Sequence, residues 1–377
     1  MTVLTSLRDA CERIDYGLTT SAKATGSTKL LRITDIEGSH VDWSQVPFCE
    51  PSAADARRYQ LSTGDVVVAR TGASTGRSQW ITDPPTAVFA SYLVRFRAGQ
   101  NLDSRYLGYV LASRAWVEYV SSIAHGKSAQ PNMSAGAMAD FEFALPTLDL
   151  QRAIAEVLGA LDDRIAANAE QMHLLQELGS AYLARAIAHD ARRAAVGDIA
   201  LFHNRRRVPL SSREREMRTG SVPYYGAAGQ AGTIDDFIFN EVLVLVGEDG
   251  SVITPDERPV IQYIWGPAWV NNHAHVLTGE GVSTEILRLV LRRHTVAHLT
   301  TGAVQPKLSM GNLKRLEVDL PVNPTTVDTL IQPLAEIERA LSDESVRLAA
   351  TRDELLPLLM SGRINVRDAE EVAGAVA

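Results

Sequence analysis

One segment of this chain occurs twice, and that repeat constrains the fold more than any other feature. Residues 125–146 (HGKSAQPNMSAGAMADFEFALP) reappear at 300–321 (TTGAVQPKLSMGNLKRLEVDLP), which is an offset of 175 positions. The Gln-Pro pairs, one serine in each copy and the closing Leu-Pro pairs all align without a gap. A self-match of domain length indicates a duplicated globular module, whereas a solenoid would repeat every 20 to 50 residues or so.

Each copy leads into a long amphipathic segment with apolar side chains at alternating three- and four-residue steps. The seam residues are Ile154, Leu158, Leu161 and Ile165 in the first segment and Leu334, Ile337, Leu341, Leu348 and Leu355 in the second. A heptad seam of this length predicts two long helices. Because each module precedes its own helix, we expect the helices to pair antiparallel between the two modules. The alternative is that each helix packs only on its own module.

The modules themselves are typical of mixed α and β structure. Apolar, β-branched runs at 30–36, 65–70, 242–247 and 260–265 predict strands, and the amphipathic stretches at 103–124 and 284–300 predict helices. The predicted fold class is therefore α+β, with two globular domains and an antiparallel pair of long coiled-coil helices. The predicted divisions are 1–146 and 191–323 for the domains, 147–190 and 324–365 for the helices, and 366–377 for a flexible tail.

Composition is compatible with two ordinary hydrophobic cores, since 45% of the 377 residues are apolar. The net charge of −8 is concentrated at the C-terminus. Residues 322–377 hold 5 basic and 10 acidic residues, against 14 and 14 in 1–146 and 13 and 14 in 196–321. Near-neutral modules leave DNA binding open. Two cysteines without a CxxC pair, no signal peptide and no apolar run of about 18 residues predict a cytoplasmic protein without a membrane span.

Motifs for catalysis are not found. The sequence lacks a methyltransferase tetrad, and the Gly-rich segment at 70–76 lacks the Gly-Lys-Ser/Thr ending of a phosphate-binding loop. The acidic GEDGS segment at 247–251 is interpreted as a turn with exposed side chains. The histidines at 273, 275, 294 and 298 favour surface or nucleic-acid-facing roles over metal binding. We therefore expect no catalytic residue, no metal site and no cofactor in this chain.

Two polar sets, one in each module, are the candidate DNA contacts. The first set is Arg70, Thr71, Ser74, Arg77, Lys127, Gln130 and Asn132. The second is Arg205, Arg207, Tyr224, Tyr225, Asn271, Asn272, His273, Gln305 and Lys307. Arg and Lys suit guanine edges and phosphates, and Asn and Gln suit adenine. A solvated surface is the better explanation for any one of these residues taken alone, so the prediction rests on there being two sets on two related modules.

Taken together, these strings resemble a type I restriction–modification specificity subunit. They are LSTGDVVVARTGASTG in the first module, VPYYGAAGQAG and LVLVGEDGS in the second, the two Gln-Pro turns, LDLQRAIAEVLGALDDRIAAN, and the ending RDELLPLLMSGRINV. They extend over nearly the whole chain. The second helical segment departs from the pattern, because its start (VNPTTVDTLIQP) lacks the Asp-Leu-Gln-Arg opening of the first.

The resemblance implies two target-recognition domains, each reading one half of a split, double-stranded DNA sequence. It also implies that the paired helices set the spacing and dock two modification subunits, which resemble adenine-N6 methyltransferases that use S-adenosylmethionine. Two motor–nuclease subunits driven by ATP with Mg²⁺ would complete a restriction complex. Because the modules differ strongly in sequence, an asymmetric target is expected. The alternative is a stand-alone DNA-binding or scaffold protein built from the same modules. An enzyme with an unrecognised active site is a third class.

Overall fold

The computed structural model describes residues 3–37, 40–124, 131–302 and 305–376. The chain divides into two compact units. The first consists of Met1–Ala169 together with Asp343–Ala377, and the second is Glu170–Ser342. Both units combine helices and sheets, so the predicted mixed fold class is confirmed. The division falls within both long helices, so each unit contains one module and part of each helix.

In the residues that the structure describes, the module of the first unit contains nine strands and five α-helices. The strands are β1 (Val3–Ser6), β2 (Cys11–Tyr16), β3 (Thr28–Leu31), β4 (Phe48–Cys49), β5 (Asp65–Ala69), β6 (Ser78–Trp80), β7 (Ala87–Phe89), β8 (Leu93–Ala98) and β9 (Glu142–Leu145). The helices are α1 (Leu7–Ala10), α2 (Ala53–Tyr59), α3 (Ser104–Val110), α4 (Arg114–Ala124) and α5 (Ala135–Ala139). A four-stranded sheet has the order β2-β8-β5-β6, and a three-stranded sheet has the order β4-β3-β7.

The module of the second unit repeats this plan. Its strands are β10 (Ala191–Ala195), β11 (Ala200–Phe202), β12 (Val222–Tyr225), β13 (Gln230–Ile234), β14 (Phe239–Asn240), β15 (Leu243–Gly247), β16 (Ile261–Ile264), β17 (Pro267–Val270), β18 (Ala274–Gly279) and β19 (Glu317–Pro321). The long helix α6 (Leu148–His189) precedes them, and the module's own helices are α7 (Val196–Ile199), α8 (Ser212–Glu216), α9 (Thr284–Arg293) and α10 (Met310–Lys314). The sheets have the orders β11-β18-β15-β16 and β13-β12-β17-β14.

The predicted central strands are confirmed in both modules. Every residue of β5 and of β15 is buried, as expected for a continuous apolar strand covered on both faces. Three predicted elements are shorter than expected. The strand at 30–36 ends at Leu31, after which Ile33–Ile36 forms a 3₁₀ helix. The helix at 103–124 is broken between α3 and α4, and the helix at 284–300 ends at Arg293.

The described part of the repeated segment forms the same local structure in each unit, from Ser134 and Ser309 onward. Ser134 and Ser309 cap α5 and α10, because their hydroxyls accept the backbone N–H of Ala137 at 3.1 Å and of Asn312 at 3.2 Å. The strand that follows each helix ends at the repeated Leu-Pro and pairs antiparallel, β9 with β1 and β19 with β10. The repeat therefore encodes a capped turn of helix followed by a strand.

The two long helices are α6 and α11 (Pro324–Met360), and they pair antiparallel in each unit. In the first unit Arg352 contacts Asp162 at 2.6 Å, and the buried Asn168 donates to Glu344 at 3.0 Å. In the second unit Gln176 donates to Glu338 at 2.8 Å. The predicted helix pairing is therefore present. At about 1.5 Å per residue, α6 is roughly 60 Å long, and no helix in the described ranges is long and apolar enough to cross a membrane.

Most predicted seam residues are buried, with one clear exception. Ile154, Leu158, Leu161, Leu341, Leu348 and Leu355 are buried, and Ile165 and Leu334 are partly buried. Ile337 was predicted in the seam but is 48% exposed. The neighbouring position, Glu338, is turned inward instead, because it pairs with the buried Arg288 of α9. A polar contact with the module therefore displaces the regular apolar repeat at this point.

The predicted flexible tail is wrong for most of its length. Val366–Gly374 forms a helix, α12, capped by Asn365, whose side-chain oxygen accepts the N–H of Asp368 at 2.9 Å. Ala369 is fully buried in the same hydrophobic cluster as Leu355 and Leu359 of α11. The acidic residues of this segment had suggested disorder. The small apolar face of the segment packs nevertheless, because the end of α11 offers a matching surface.

Candidate nucleic-acid interface

In the first module, a hairpin loop is docked onto the segment that begins at the repeated proline, Pro131. The loop joins β5 to β6. The backbone N–H of Gly72 donates to the carbonyl of Pro131 at 3.0 Å, and the N–H of Met133 donates to the carbonyl of Arg70 at 2.9 Å. We call residues 70–77 and 131–133 the first platform. Residues 131–133 thus hold the loop by two backbone hydrogen bonds that do not depend on side-chain identity.

The second module builds the same arrangement from a different sequence. The N–H of Gly250 donates to the carbonyl of Pro306 at 3.0 Å, and the N–H of Leu308 donates to the carbonyl of Glu248 at 2.9 Å. We call residues 248–250 and 305–308 the second platform. Gly72 and Gly250 occupy the same place and both have positive φ, at 75° and 87°. Only glycine adopts that conformation without strain, so both loops require it.

The side chains of the first platform are cationic and neutral. Arg70 lies over the ring of Tyr16 at 4.8 Å and donates to the side-chain oxygen of Asn132 at 3.2 Å. Thr71 and Asn132 form an isolated antiparallel β-bridge. Arg77 is exposed, and its guanidinium donates to the carbonyl of Glu37 at a long 3.4 Å. This surface combines guanidinium donors with an amide that can both donate and accept.

The side chains of the second platform include two carboxylates. Asp249 lies 3.1 Å from the ammonium of Lys307, the bridge partner that corresponds to Asn132. Glu248 occupies the place of Arg70 and pairs with Arg207 at 2.7 Å. Both acids are only partly exposed, at 16% for Glu248 and 21% for Asp249. The prediction of a turn with freely exposed acidic side chains is therefore wrong, because both acids are held in ion pairs.

A buried histidine supports the second platform from below. His275 has no exposed surface, and its two ring nitrogens lie 2.8 Å from the Asn204 amide and 2.7 Å from the Leu308 carbonyl. Burial lowers the pKa of His275, and the nearby Arg207 lowers it further, while the Leu308 carbonyl, Glu248 and Asp249 oppose the shift. A neutral imidazole that donates to Leu308 and accepts from Asn204 satisfies both contacts. His275 had been assigned a surface-facing role, and that prediction is wrong.

Comparison with known proteins supports a specific family. A family model described as the type I restriction modification DNA specificity domain matches residues 52–177 and again 193–342. These two matches cover well over half of the sequence and contain one platform loop each.

The chain belongs to the type I restriction–modification DNA specificity family.

Individual relatives are more distant. A putative type I restriction enzyme specificity subunit from Haemophilus influenzae is 30% identical over 148 residues, which is 39% of this chain and 37% of that protein. The matched part is therefore under half the length of this curated relative. The crystal structure of a type I restriction-modification S subunit from M. genitalium aligns over 95% of this chain and 96% of that one, with a TM-score of 0.58 and 15% identity. That alignment supports the two-module fold of this specificity-family member.

Three of the predicted contact residues of this specificity chain lie in its interior. Tyr224 is 2% exposed and packs with Trp269, and Asn271 accepts the backbone N–H of His273 at 2.8 Å. Arg207 donates to the carbonyls of Asn272 and Ala274 as well as to Glu248. The structure places these side chains where they hold loops together. The polar character of these three residues in the sequence did not distinguish them from surface residues.

Other predicted residues are accessible. Arg77, Asn132, Arg205, Asn272, His273, Gln305 and Lys307 are exposed, and Arg70, Thr71, Ser74 and Tyr225 are partly exposed. The structure brings Arg70, Thr71 and Asn132 together at the first platform, and His273 and Lys307 together at the second. It does not bring Arg205 or Tyr225 to either platform by any contact in the described parts of the chain. Lys127 and Gln130 lie outside the described residues.

Sequence reasoning missed several residues of the platforms. Glu248 and Asp249 follow a buried strand just as Arg70 and Thr71 do, and aligning the two loops on that strand would have found them. Tyr16, which lies beneath Arg70, belongs to a distant strand and carried no signal in the sequence.

Proposed function

We propose that this chain is the sequence-specific DNA-recognition subunit of a type I restriction–modification complex, and that each platform reads one half of a bipartite, asymmetric target. One observation carries the proposal. Two loops with the same backbone hydrogen bonds present opposite charge, Arg70 with Thr71 in one and Glu248 with Asp249 in the other. Two domains that bind different half-sites need the same backbone framework with different side chains on it.

The side chains suit different base edges. Arg70 and Asn132 match guanine and adenine in the major groove, where a good bidentate contact discriminates by about 1–3 kcal/mol. Asp249 can accept from the exocyclic amine of cytosine, with Lys307 close enough to hold it in place. Arg77 and Arg205 are exposed cations that would contact phosphates and fix the register. The two half-sites would therefore differ in base composition.

The long helices would set the distance between half-sites and dock two modification subunits. Apolar side chains remain exposed on the part of the helix pair within the second unit, namely Leu174, Leu178, Leu330 and Ile337. Their spacing at four and seven residues places them along helix faces, which suits a protein partner. Those partners would be adenine-N6 methyltransferases using S-adenosylmethionine. Motor–nuclease subunits using ATP and Mg²⁺ would add restriction. The chain itself would contribute recognition without catalysis.

A methylation map tests this proposal. N6-methyladenine would be mapped across the genome in cells that express a modification subunit with and without this chain. We expect a split motif with a fixed gap that appears only when the chain is present, and the motif should not be palindromic. If the partner is folded and no new motif appears, the chain is a stand-alone DNA-binding or scaffold protein. Methylation or cleavage by the purified chain alone would instead identify an enzyme.

A further inference from the structure

In the first unit, one arginine of the module is bound to the long helix beneath it. The Arg105 guanidinium donates to both carboxylate oxygens of Asp163, at 2.6 and 3.1 Å, and to the carbonyl of Gly159 at 2.9 Å. Its other side lies 5.0 Å from the ring of Trp80 on β6. A side chain at position 159 would collide with this group, since a Cβ there would lie 2.3 Å from the Arg105 Cζ.

The second unit contains an equivalent cluster made from other residues. The Arg288 guanidinium of α9 donates to both carboxylate oxygens of Glu338, at 2.9 and 2.7 Å. It lies 4.1 Å from the ring of Tyr263 on β16. Both charged side chains are nearly inaccessible to water, at 5% and 9% exposure. Gln176 of α6 also donates to Glu338, so both long helices take part.

The two clusters occupy corresponding places. Asp163 and Glu338 are 175 residues apart, the same offset as the Gln-Pro turns. Trp80 and Tyr263 lie opposite the second residue of β5 and of β15, respectively. The arginines are not at matching positions, since Arg105 is the second residue of α3 and Arg288 the fifth of α9. The two diverged modules therefore form the same bidentate contact with arginines at different helix positions. The contact is kept although the position of the arginine is not.

Stability alone does not explain such a contact. Arg288–Glu338 is buried, and a buried ion pair loses solvation that offsets much of its attraction, so an apolar pair of similar volume would stabilise the second unit as well or better. In the first unit the Asp163 side chain is 68% exposed, so solvent screening leaves the attraction of its ion pair with Arg105 a small contribution to stability. A planar guanidinium held by two hydrogen bonds and an aromatic face, however, fixes direction as well as distance. Tyr109 and Arg352 reinforce this in the first unit, because both bind Asp162, at 2.6 Å each.

We infer that Arg105–Asp163 and Arg288–Glu338 fix the angle at which each recognition module stands on its stretch of the long helices. They are positioning residues for the spacing between half-sites, and they leave base choice to the platforms. This inference rests on the proposed function for its consequence on DNA, although the orientation it describes is a property of each unit alone.

The first test measures spacing discrimination. The complex reconstituted with its modification subunits would carry Arg105→Lys or Arg288→Lys, which keep the charge but lose the bidentate fork. We expect the preference for the native gap over gaps one base pair longer or shorter to fall about tenfold, with both half-site sequences unchanged. Arg114→Lys is the matched control, since Arg114 is 86% exposed and forms its ion pair with Glu118 on its own helix. Unchanged spacing discrimination in both variants would overturn the inference.

A second measurement separates this inference from the proposed function. Spin labels at Val117→Cys and Ala166→Cys, in a chain with Cys11→Ala and Cys49→Ala, report the distance between α4 and α6 within the first unit. We expect Arg105→Lys to broaden the distance distribution at least twofold, and Arg114→Lys to leave it unchanged. An unbroadened distribution would refute the positioning role whether or not DNA binds. Failure of the unsubstituted complex to select any sequence would refute the proposed function and leave this result standing.

Discussion

The first and second platforms have the same backbone and opposite electrostatics. Each loop is held by two backbone hydrogen bonds to the segment that begins at the repeated proline, with a glycine in the left-handed conformation at the same place. Arg70 in the first platform corresponds to Glu248 in the second. The backbone hydrogen bonds are the same in both platforms although the two side chains carry opposite charge. The fixed part of each platform therefore lies in the main chain. Side chains can then diverge, provided that each charge finds a local partner.

The largest effect should come from giving the second platform the charge of the first. Glu248→Arg would place a cation beside Arg207 and Lys307, whose positive charges Glu248 now balances. Loss of a partly buried ion pair with added repulsion should lower the free energy of unfolding of the second unit by about 3 kcal/mol or more. Denaturant unfolding followed by hydrogen exchange on peptides from each unit measures this.

Glu241→Arg provides the matched control for that variant. Glu241 also pairs with an arginine, Arg206, at 2.7 Å, but its side chain is more exposed. Its reversal should cost no more than about 1 kcal/mol. Equal losses for the two variants would show that the environment of Glu248 is not special.

The next effect separates the two half-sites. Arg70→Ala removes a guanidinium that lies at the loop surface, and we expect affinity for targets to fall roughly 10- to 100-fold, as for loss of one specific base contact. The loss should depend only on the first half-site, and Gln305→Ala should affect only the second. Competition binding with targets altered in one half at a time tests both variants. A loss that follows the wrong half-site would contradict the assignment.

Acidification should distinguish the units without any substitution. The folded-state pKa of His275 is below its ordinary value of about 6.5, so the unfolded chain binds a proton more readily than the folded one. This contribution to stability is fully present above pH 6.5 and is lost as the pH falls below that value. Hydrogen exchange between pH 7.5 and 5.5 should show weakening of the second unit first. His275→Gln should flatten that dependence, and an unaltered slope would rule His275 out as its source.

The smallest expected effect concerns salt. Arg77 is an exposed cation without a carboxylate partner in the described parts of the chain, whereas Lys307 is paired with Asp249. Arg77→Ala should reduce the slope of log affinity against log salt by about 0.9, the value for one phosphate contact, and should do so for every DNA sequence. Lys307→Ala should leave the slope within error of the unsubstituted protein. Binding titrations from 50 to 200 mM salt decide the comparison.

Much of this architecture could be predicted because it follows from local or periodic patterns of apolar residues and from the internal repeat. The repeat indicated two modules, the heptads located α6 and α11, and the apolar runs located β5 and β15. What escaped prediction depends on distant partners. Tyr224 and Asn271 look like surface residues until their loops fold over them. Ile337 lost its seam position because Arg288, from another element, binds the neighbouring Glu338. Charge and polarity in a sequence do not show which groups meet.

The first unit is built from two segments that are far apart in the sequence, and this affects the order in which the units can fold during synthesis. Its hydrophobic core joins Leu158 and Trp116 with Leu348, Leu355 and Ala369, which are translated only after the whole second unit. The second unit is a continuous stretch of chain, so all of it can emerge from the ribosome and fold before the C-terminal helices of the first unit have been synthesised. The middle of this protein can therefore mature before its beginning. A premature stop codon just before these helices would consequently destabilise the first module, although that module is synthesised first.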